Sequence, residues 1–404
     1  MSYNSNVRSR KRPSAFGRPR SGAPSRGPAR STRRGPKKDY ISPDRFIKQA
    51  RIVEREVYVP QYTFSDFAVV DLIKQNLTNK GFTAPSSIQD QTIPLALDGR
   101  DIIGIADTGT GKTAAFAIPV LHAAMTRDAH VLVIAPTREL AQQIDAEFRT
   151  IGRGSNLRSA VLIGGAAMGI QLRQLREQPQ IVIGTPGRIK DHMQRGTLRL
   201  NNFQFAVLDE VDRMLDIGFV NDVQEILAAL NPDRQSFYFS ATMDDRVKTL
   251  IETFSNNPAV VSVKTGETGE NIHQDVVRVS HQGAKLDALH DLLIEGKIQK
   301  AIIFDDTQRA VERLSIELLE RGFKADAIHG GKSQGQRQRS LNKFKQNEVN
   351  ILVATDVAAR GIDVADITHV INYSTPNSYA DYVHRIGRAG RAGRVGYALT
   401  FIEQ

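Results

Sequence analysis

The run ADTGTGKT (106–113) follows the apolar DIIGIA (101–106) and precedes AAFAIPVLHAA, so a Gly-rich turn sits between a strand pattern and a helix pattern. That context suits phosphate chemistry. Gly109 and Gly111 let the backbone curl until its N–H groups face phosphate oxygens, and the start of a helix adds partial positive charge. Lys112 is placed to reach the β- and γ-phosphates of a nucleotide, and the Thr113 hydroxyl to hold Mg²⁺. The general pattern has Gly at its first position, where this chain has Ala106. The competing explanation is a Gly-rich turn in an α/β protein that binds nothing.

A second cluster lies at the end of FAVLDE (205–210), where an apolar run stops abruptly in Asp209 and Glu210, with Asp212 two residues on. Acids at a buried strand end are costly unless a cation or a reaction uses them. Asp209 suits Mg²⁺, held through water, and Glu210 suits orienting and deprotonating an attacking water. The alternative is an acidic cap on the next helix. In HRIGRAGR (384–391), helical spacing puts Arg388 and Arg391 on one face, so that two guanidiniums can reach one phosphate.

Positioning these groups requires strands that end together. Apolar runs rich in Val and Ile recur every 10–20 residues with helical patterns between them, which implies parallel sheets with crossover helices. The first series is DIIGIA, HVLVIAP (130–136), AVLIGG (160–165), QIVIGTP (180–186), FAVLDE and SFYFSAT (236–242). A polar stretch, KTGETGEN (264–271), interrupts it. The second series is DVVRVS (275–280), AIIFDD (301–306), ADAIHG (325–330), NILVATD (350–356), HVINYS (369–374) and YALTFIE (397–403). The expected organisation is a tail over 1–40, an α/β domain over 41–264, a linker over 265–272 and a second α/β domain over 273–404. Ligands are expected where strands end and in the cleft between the domains.

Composition narrows the field. The 404 residues include no Cys, which excludes disulfides, thiolate nucleophiles and Cys-ligated metal centres. No apolar run reaches the roughly 18 residues of a membrane span, so a soluble protein is expected. The net charge of +10 is concentrated in residues 1–38, which hold nine Arg, three Lys and no acid. The remainder sets 42 of the 54 bases against all 44 acids, so it is nearly neutral. Arg mixed with Ser, Gly and Pro cannot build a core, and the tail reads as disordered. It suits an RNA-binding arm, a solubility tail or an organelle transit peptide.

Taken in order and spacing, ADTGTGKT, PTRELAQQ (136–143), GG (164–165), TPGR (185–188), DEVD (209–212), SAT (240–242), TDVAARGID (355–363) and HRIGRAGR resemble the motifs of the DEAD-box ATP-dependent RNA helicases. The resemblance covers residues 60–403 and implies two RecA-like domains that close on RNA when ATP binds between them. GFTAPSSIQ (81–89), with Phe64 17 residues upstream, resembles the family's Q motif. By that resemblance Gln89 reads the adenine edge and Phe82 packs on its face, within a nucleotide site of Phe64, Phe82, Gln89, Ala106, Asp107, Thr108, Gly109, Thr110, Gly111, Lys112 and Thr113. The family also gives Arg388 and Arg391 the γ-phosphate, Asp363 a ribose contact, and His384 a link to Asp212, with Ser240 and Thr242 coupling hydrolysis to closure.

The implied RNA contacts are Thr137, Arg138, Glu139, Gly165, Thr185, Arg188, Gln334, Arg337, Thr355 and Asp356. For Thr185 or Thr355 alone, ordinary helix capping would explain the residue equally well. No aromatic platform accompanies them, so the sugar–phosphate chain is the expected target, with little base preference and the 2′-OH separating RNA from DNA. A monomer working in the cytoplasm is expected, or in an organelle interior if the tail is a transit peptide. Three departures stand out: Val211 where the family has Ala, Ala389 where it usually has Thr, and an end at YALTFIEQ without the family's closing helix, compatible with a truncated product.

The tail generates a test. Deleting residues 1–38 should flatten the salt dependence of single-stranded RNA binding by roughly 4 log units per decade of salt if half the charges engage, at about 0.7 per phosphate. Maximal ATPase at saturating RNA should not move. An unchanged slope, measured by RNA-binding titration at several salt concentrations, argues for the other two uses.

Overall fold

The computed structural model describes residues 40–50, 58–107, 109–263, 271–296, 298–359, 364, 366–390 and 394–403. The tail, Thr108, Asp363, Arg391 and most of the expected linker therefore lie outside the described residues.

The first sheet has seven strands: β1 (Ile102–Ala106), β2 (Val131–Ile134), β3 (Ser159–Leu162), β4 (Ile181–Gly184), β5 (Phe205–Leu208), β6 (Gln235–Ser240) and β7 (Ala259–Val263), in the order β3-β4-β2-β5-β6-β1-β7. The second has six: β8 (Ile272–Val279), β9 (Ala301–Phe304), β10 (Ala325–Ile328), β11 (Ile351–Ala354), β12 (His369–Asn372) and β13 (Gly396–Glu403), in the order β10-β11-β9-β12-β13-β8. Every paired strand is parallel. Parallel strands covered by helices on both faces must be apolar on both, which is why β1, β2, β4 and β5 are buried along their whole length. Both sheets lie in one compact unit spanning residues 38–404.

Two elements differ from the sequence reading. β7 forms over AVVSV at the edge of the first sheet, where one face stays exposed and the apolar signal is correspondingly short. β8 opens at Ile272, three residues before the expected start, because the whole length of β13 pairs with it.

The chain upstream of the first sheet packs on the second. The short helix Pro43–Phe46 buries Phe46 against Tyr382, ring centroids 4.7 Å apart, and Arg45 lies 3.7 Å over the Tyr379 ring. Lys48 pairs antiparallel with Gln274 of β8 through N–H···O bonds of 3.0 and 2.8 Å. The described segment 40–50 thus covers the edge strand of the second sheet, a common way of blunting an edge.

Across β12, β13 and β8, His369, Tyr397 and His273 are register partners and their rings stack at 4.8 and 5.4 Å. Burial pushes the His369 imidazole down to about 4. The unfolded chain, with an ordinary value near 6.5, then takes up the proton first. Stability is therefore complete above pH 6.5 and is lost as pH falls towards 4. His369→Gln should show a smaller drop in Tm than the parent between pH 7.5 and 5, measured by thermal melts, and an equal drop would mean that the ring is protonated without cost.

Candidate active site and nucleic-acid interface

The phosphate loop joins β1 to the helix Lys112–Arg127. Gly111 caps that helix with φ +93°, a conformation that calls for glycine, and a Cβ there would lie 2.4 Å from Gln89 Nε2 and displace that amide. Gln89 accepts from Ser86 N (3.0 Å) and donates to Gly111 O (3.0 Å), which ties the first turn of Ser87–Leu97 to the loop. Lys112 is buried and donates to Ala106 O at 2.7 Å, while Thr110 donates to Asp107 O at 2.8 Å. Ala106 thus takes part through its carbonyl, and a methyl at the first loop position is accommodated.

At the end of β5, Glu210 adopts φ 53° and ψ 56°, a left-handed conformation that costs a non-glycine residue about 1–2 kcal/mol. The turn aims its carboxylate at Arg213 Nη1, 2.7 Å away and also buried. Burial alone would raise Glu210, but Arg213, Arg388 and Lys112 hold it at about 2. Asp209 goes the other way: burial and the adjacent charges of Glu210 and Asp212 outweigh Lys112 and push it up to about 7. The two neighbours are therefore pushed in opposite directions, Glu210 towards the ionised form by its cations and Asp209 away from it by burial.

These groups line one cleft of about 530 Å³ together with Phe82, Gln89, Gly109 and Thr113 of the first half and Lys345 and Arg388 of the second. Phe64 lies one layer back, its ring meeting Phe82 edge-on at 5.7 Å. Asp212 bonds to the end of β6: its Oδ2 accepts from Ala241 N (3.2 Å), Thr242 N (2.9 Å) and Thr242 Oγ1 (2.9 Å), and Asp212 N donates to Ser240 Oγ (3.2 Å). His384 lines a small adjoining cavity with Asp356, Asp381, Arg385 and Arg388.

The residues expected to hold RNA follow β2, β3 and β4, the consecutive strands at one edge of the first sheet, and β10 and β11 at one edge of the second. Arg138 covers Gly164 and Gly165: a Cβ on Gly165, at φ +77°, would lie 2.3 Å from Arg138 Nη1. Burial and the nearby Arg337 and Arg188 press the Arg138 pKa down against the pull of Glu139. Thr137 caps its helix through Leu140 N (3.3 Å), whereas Thr185 makes no side-chain cap. Thr355 accepts the N–H groups of Ala358 and Ala359 through its backbone oxygen.

Several of the expected RNA contacts also have protein partners. Arg337 Nη2 meets Glu139 Oε2 at 2.9 Å, and Gln334 Nε2 reaches Glu139 Oε1 (3.3 Å) and Gln142 Oε1 (3.1 Å). Both carboxylate oxygens of Asp356 accept from Arg385, at 2.6 and 2.8 Å. The Glu139 cluster joins the two halves, and the Asp356 pair braces the second. Sequence reasoning missed Arg213, although its spacing of three from Glu210 on a helix start is a detectable signal, and it missed Lys345, for which no sequence signal exists.

The geometry is that of two RecA-like lobes with a nucleotide cleft between them. Residues 86–250 match the family model described as DEAD/DEAH box helicase, and residues 284–393 match Helicase conserved C-terminal domain. Over 343 residues, 84% of the chain, it is 44% identical to the ATP-dependent RNA helicase CshA of Listeria monocytogenes, spanning 66% of that protein. It is 45% identical to the DEAD-box ATP-dependent RNA helicase CshA of Geobacillus kaustophilus, spanning 73% of its length. S. cerevisiae Dbp5 bound to RNA and ADP BeF3 superposes with a TM-score of 0.76 at 30% identity, over 85% of this chain and 90% of that one. The chain belongs to the DEAD-box family of ATP-dependent RNA helicases.

The buried pair between the lobes generates a test. Arg337→Met leaves the Glu139 carboxylate without its ion-pair partner and should cost roughly 3–5 kcal/mol where the lobes are associated. Adding Glu139→Met should recover part of that loss in chemical-denaturation curves. A double variant less stable than Arg337→Met would contradict the pairing.

Proposed function

We propose that the chain hydrolyses ATP in this cleft when RNA is bound and uses lobe closure to separate short duplexes locally. The observation that carries this reading is Arg388 of the second lobe sharing one cleft with Lys112, Asp209 and Glu210 of the first. In it, Gln89 and Phe82 select adenine, Lys112 and the loop N–H groups hold the phosphates, and Glu210 orients and deprotonates the attacking water. Arg388, together with Arg391, stabilises charge developing on the γ-phosphate; such arginines contribute about 10³–10⁵ in rate. Asp363 meets the ribose.

The buried, cation-starved Asp209 beside Thr113 fits Mg²⁺. When bound, the ion neutralises phosphate charge. Arg213 positions the Glu210 carboxylate and keeps it ionised. Asp212, Ser240 and Thr242 transmit the state of the acid pair to β6, and His384 of the second lobe would couple to Asp212 on closure.

RNA lies along Thr137, Arg138, Gly165, Thr185, Arg188 and Thr355, held by sugar and phosphate and hence with little sequence preference. Glu139, Gln334, Arg337 and Asp356 shape that surface by fixing its cations and lobes. We assign the two lobes to residues 41–264 and 273–404, corrected in that segment 41–50 belongs with the second lobe on which it packs, and the chain to a monomer acting in the cytoplasm. Among the described residues, no helix is long and apolar enough to cross a membrane.

Glu210→Gln tests the chemistry. The amide keeps an oxygen for Arg213 and cannot take a proton, so ATP and RNA should still bind while turnover falls at least a hundredfold, the usual scale of general-base loss. RNA-stimulated phosphate release and RNA retention measure the two halves of that statement, and turnover near the parent rate would remove Glu210 from its role.

A further inference from the structure

We propose that Asp90 is a positioning residue of the adenine pocket: by binding Tyr58, Gln61 and Tyr62 it fixes the aromatic layer behind Phe82. The inference rests on reading the cleft as an adenine-nucleotide site. Asp90 is 3% exposed and follows Gln89 in the first turn of the helix Ser87–Leu97. Its Oδ2 accepts from the Tyr58 hydroxyl (2.5 Å) and Gln61 N (2.8 Å), and its Oδ1 from Tyr62 N (2.9 Å). Three donors converging on one buried carboxylate make a set of charge-assisted bonds, each stronger than a neutral one.

What those bonds hold is a row of rings that ends in the cleft. Tyr62 packs on Phe67 (5.9 Å), Phe67 on Phe64 (6.0 Å), and Phe64 on Phe82 (5.7 Å), the ring that lines the cleft. Adjacent helix residues point about 100° apart. One helix turn therefore serves both sides of the base: Gln89 reaches to the phosphate loop at Gly111, and Asp90 reaches back to the segment that supports Phe82. Lys112 and Glu210 are held by β1 and β5 and have no bond to this segment among those described. Releasing Asp90 should therefore loosen the base and leave the phosphates in place.

The test is steady-state, RNA-stimulated hydrolysis of ATP and GTP by the full chain. Asp90→Asn should raise KM for ATP roughly tenfold, the equivalent of about one charge-assisted hydrogen bond, with kcat within twofold of the parent. It should also narrow the ATP-over-GTP preference. Tyr58→Phe removes a single donor and should raise KM by a smaller factor, which covers the case in which Asp90→Asn does not fold. Asp101→Asn is the stability control: Asp101 is also buried and accepts from Ser236 N (2.7 Å) and Asn256 N (2.8 Å), but it precedes β1 at the far end of the sheet. It should lower Tm without moving KM. A KM for ATP within twofold of the parent in Asp90→Asn, or in Tyr58→Phe if the former does not fold, overturns the inference. So does a rise in KM that Asp101→Asn reproduces. Lys112→Ala that still hydrolyses ATP at the parent rate would instead overturn the reading of the cleft itself, whatever the Asp90 variants do.

Discussion

Two carboxylates stand side by side at the buried end of β5, and the protein cannot leave both charged without help. Bulk water would screen them; here only nearby cations can. Arg213, Lys112 and Arg388 supply enough positive potential for Glu210 to remain an anion, and little is left for Asp209. The imbalance gives two identical chemical groups different electrostatic surroundings: one is held as an anion by its cations, the other is destabilised as an anion by burial. It also makes the site dependent on the second lobe, because one of the three cations on Glu210 is Arg388. The left-handed backbone at Glu210 has the same origin, since the strand must turn at once into a helix for Arg213 to come within reach.

Strand order then separates two tasks that share a surface. β5, β6 and β1 are neighbours, so the acid pair, the Ser240–Thr242 segment and the phosphate loop meet at the middle of the sheet. β3, β4 and β2 are neighbours too, and Arg138, Gly165, Thr185 and Arg188 meet at its edge. β2 lies between the groups. Glu139, in the first turn of the helix that follows β2, binds Arg337 and Gln334 of the other lobe, so the contact that joins the lobes sits between the acid pair and the Arg138 cluster.

Most of this was legible in the sequence for a physical reason. Parallel strands need apolar residues on both faces, which makes them short, dense runs, and ligand groups must follow those runs directly. Twelve of the thirteen strands showed themselves in that way; β7, half exposed at an edge, did not. Side-chain partnerships were less visible. Nothing local in Gln334, Arg337 or Asp356 tells whether they face a phosphate or a carboxyl group, because guanidinium and amide donors suit both. Their partners, Glu139 and Arg385, lie 29 to 198 residues away, a separation that only folding closes. Asp90 was hidden by the same limit: its donors come from a segment with no regular structure.

The segment 40–50 has a topological consequence. The polypeptide lies first against β8 of the second lobe, crosses to Asp90 of the first, and returns to the second after β7, so two stretches of backbone span the lobes. Between Ala50, which bonds His273, and Tyr58, which bonds Asp90, there are eight Cα steps, at most about 28 Å when fully stretched. Two bodies joined at one point are free to separate, whereas a second attachment at a separate point limits the distance between them. While both anchors hold, that length bounds how far β8 of the second lobe and Asp90 of the first can move apart.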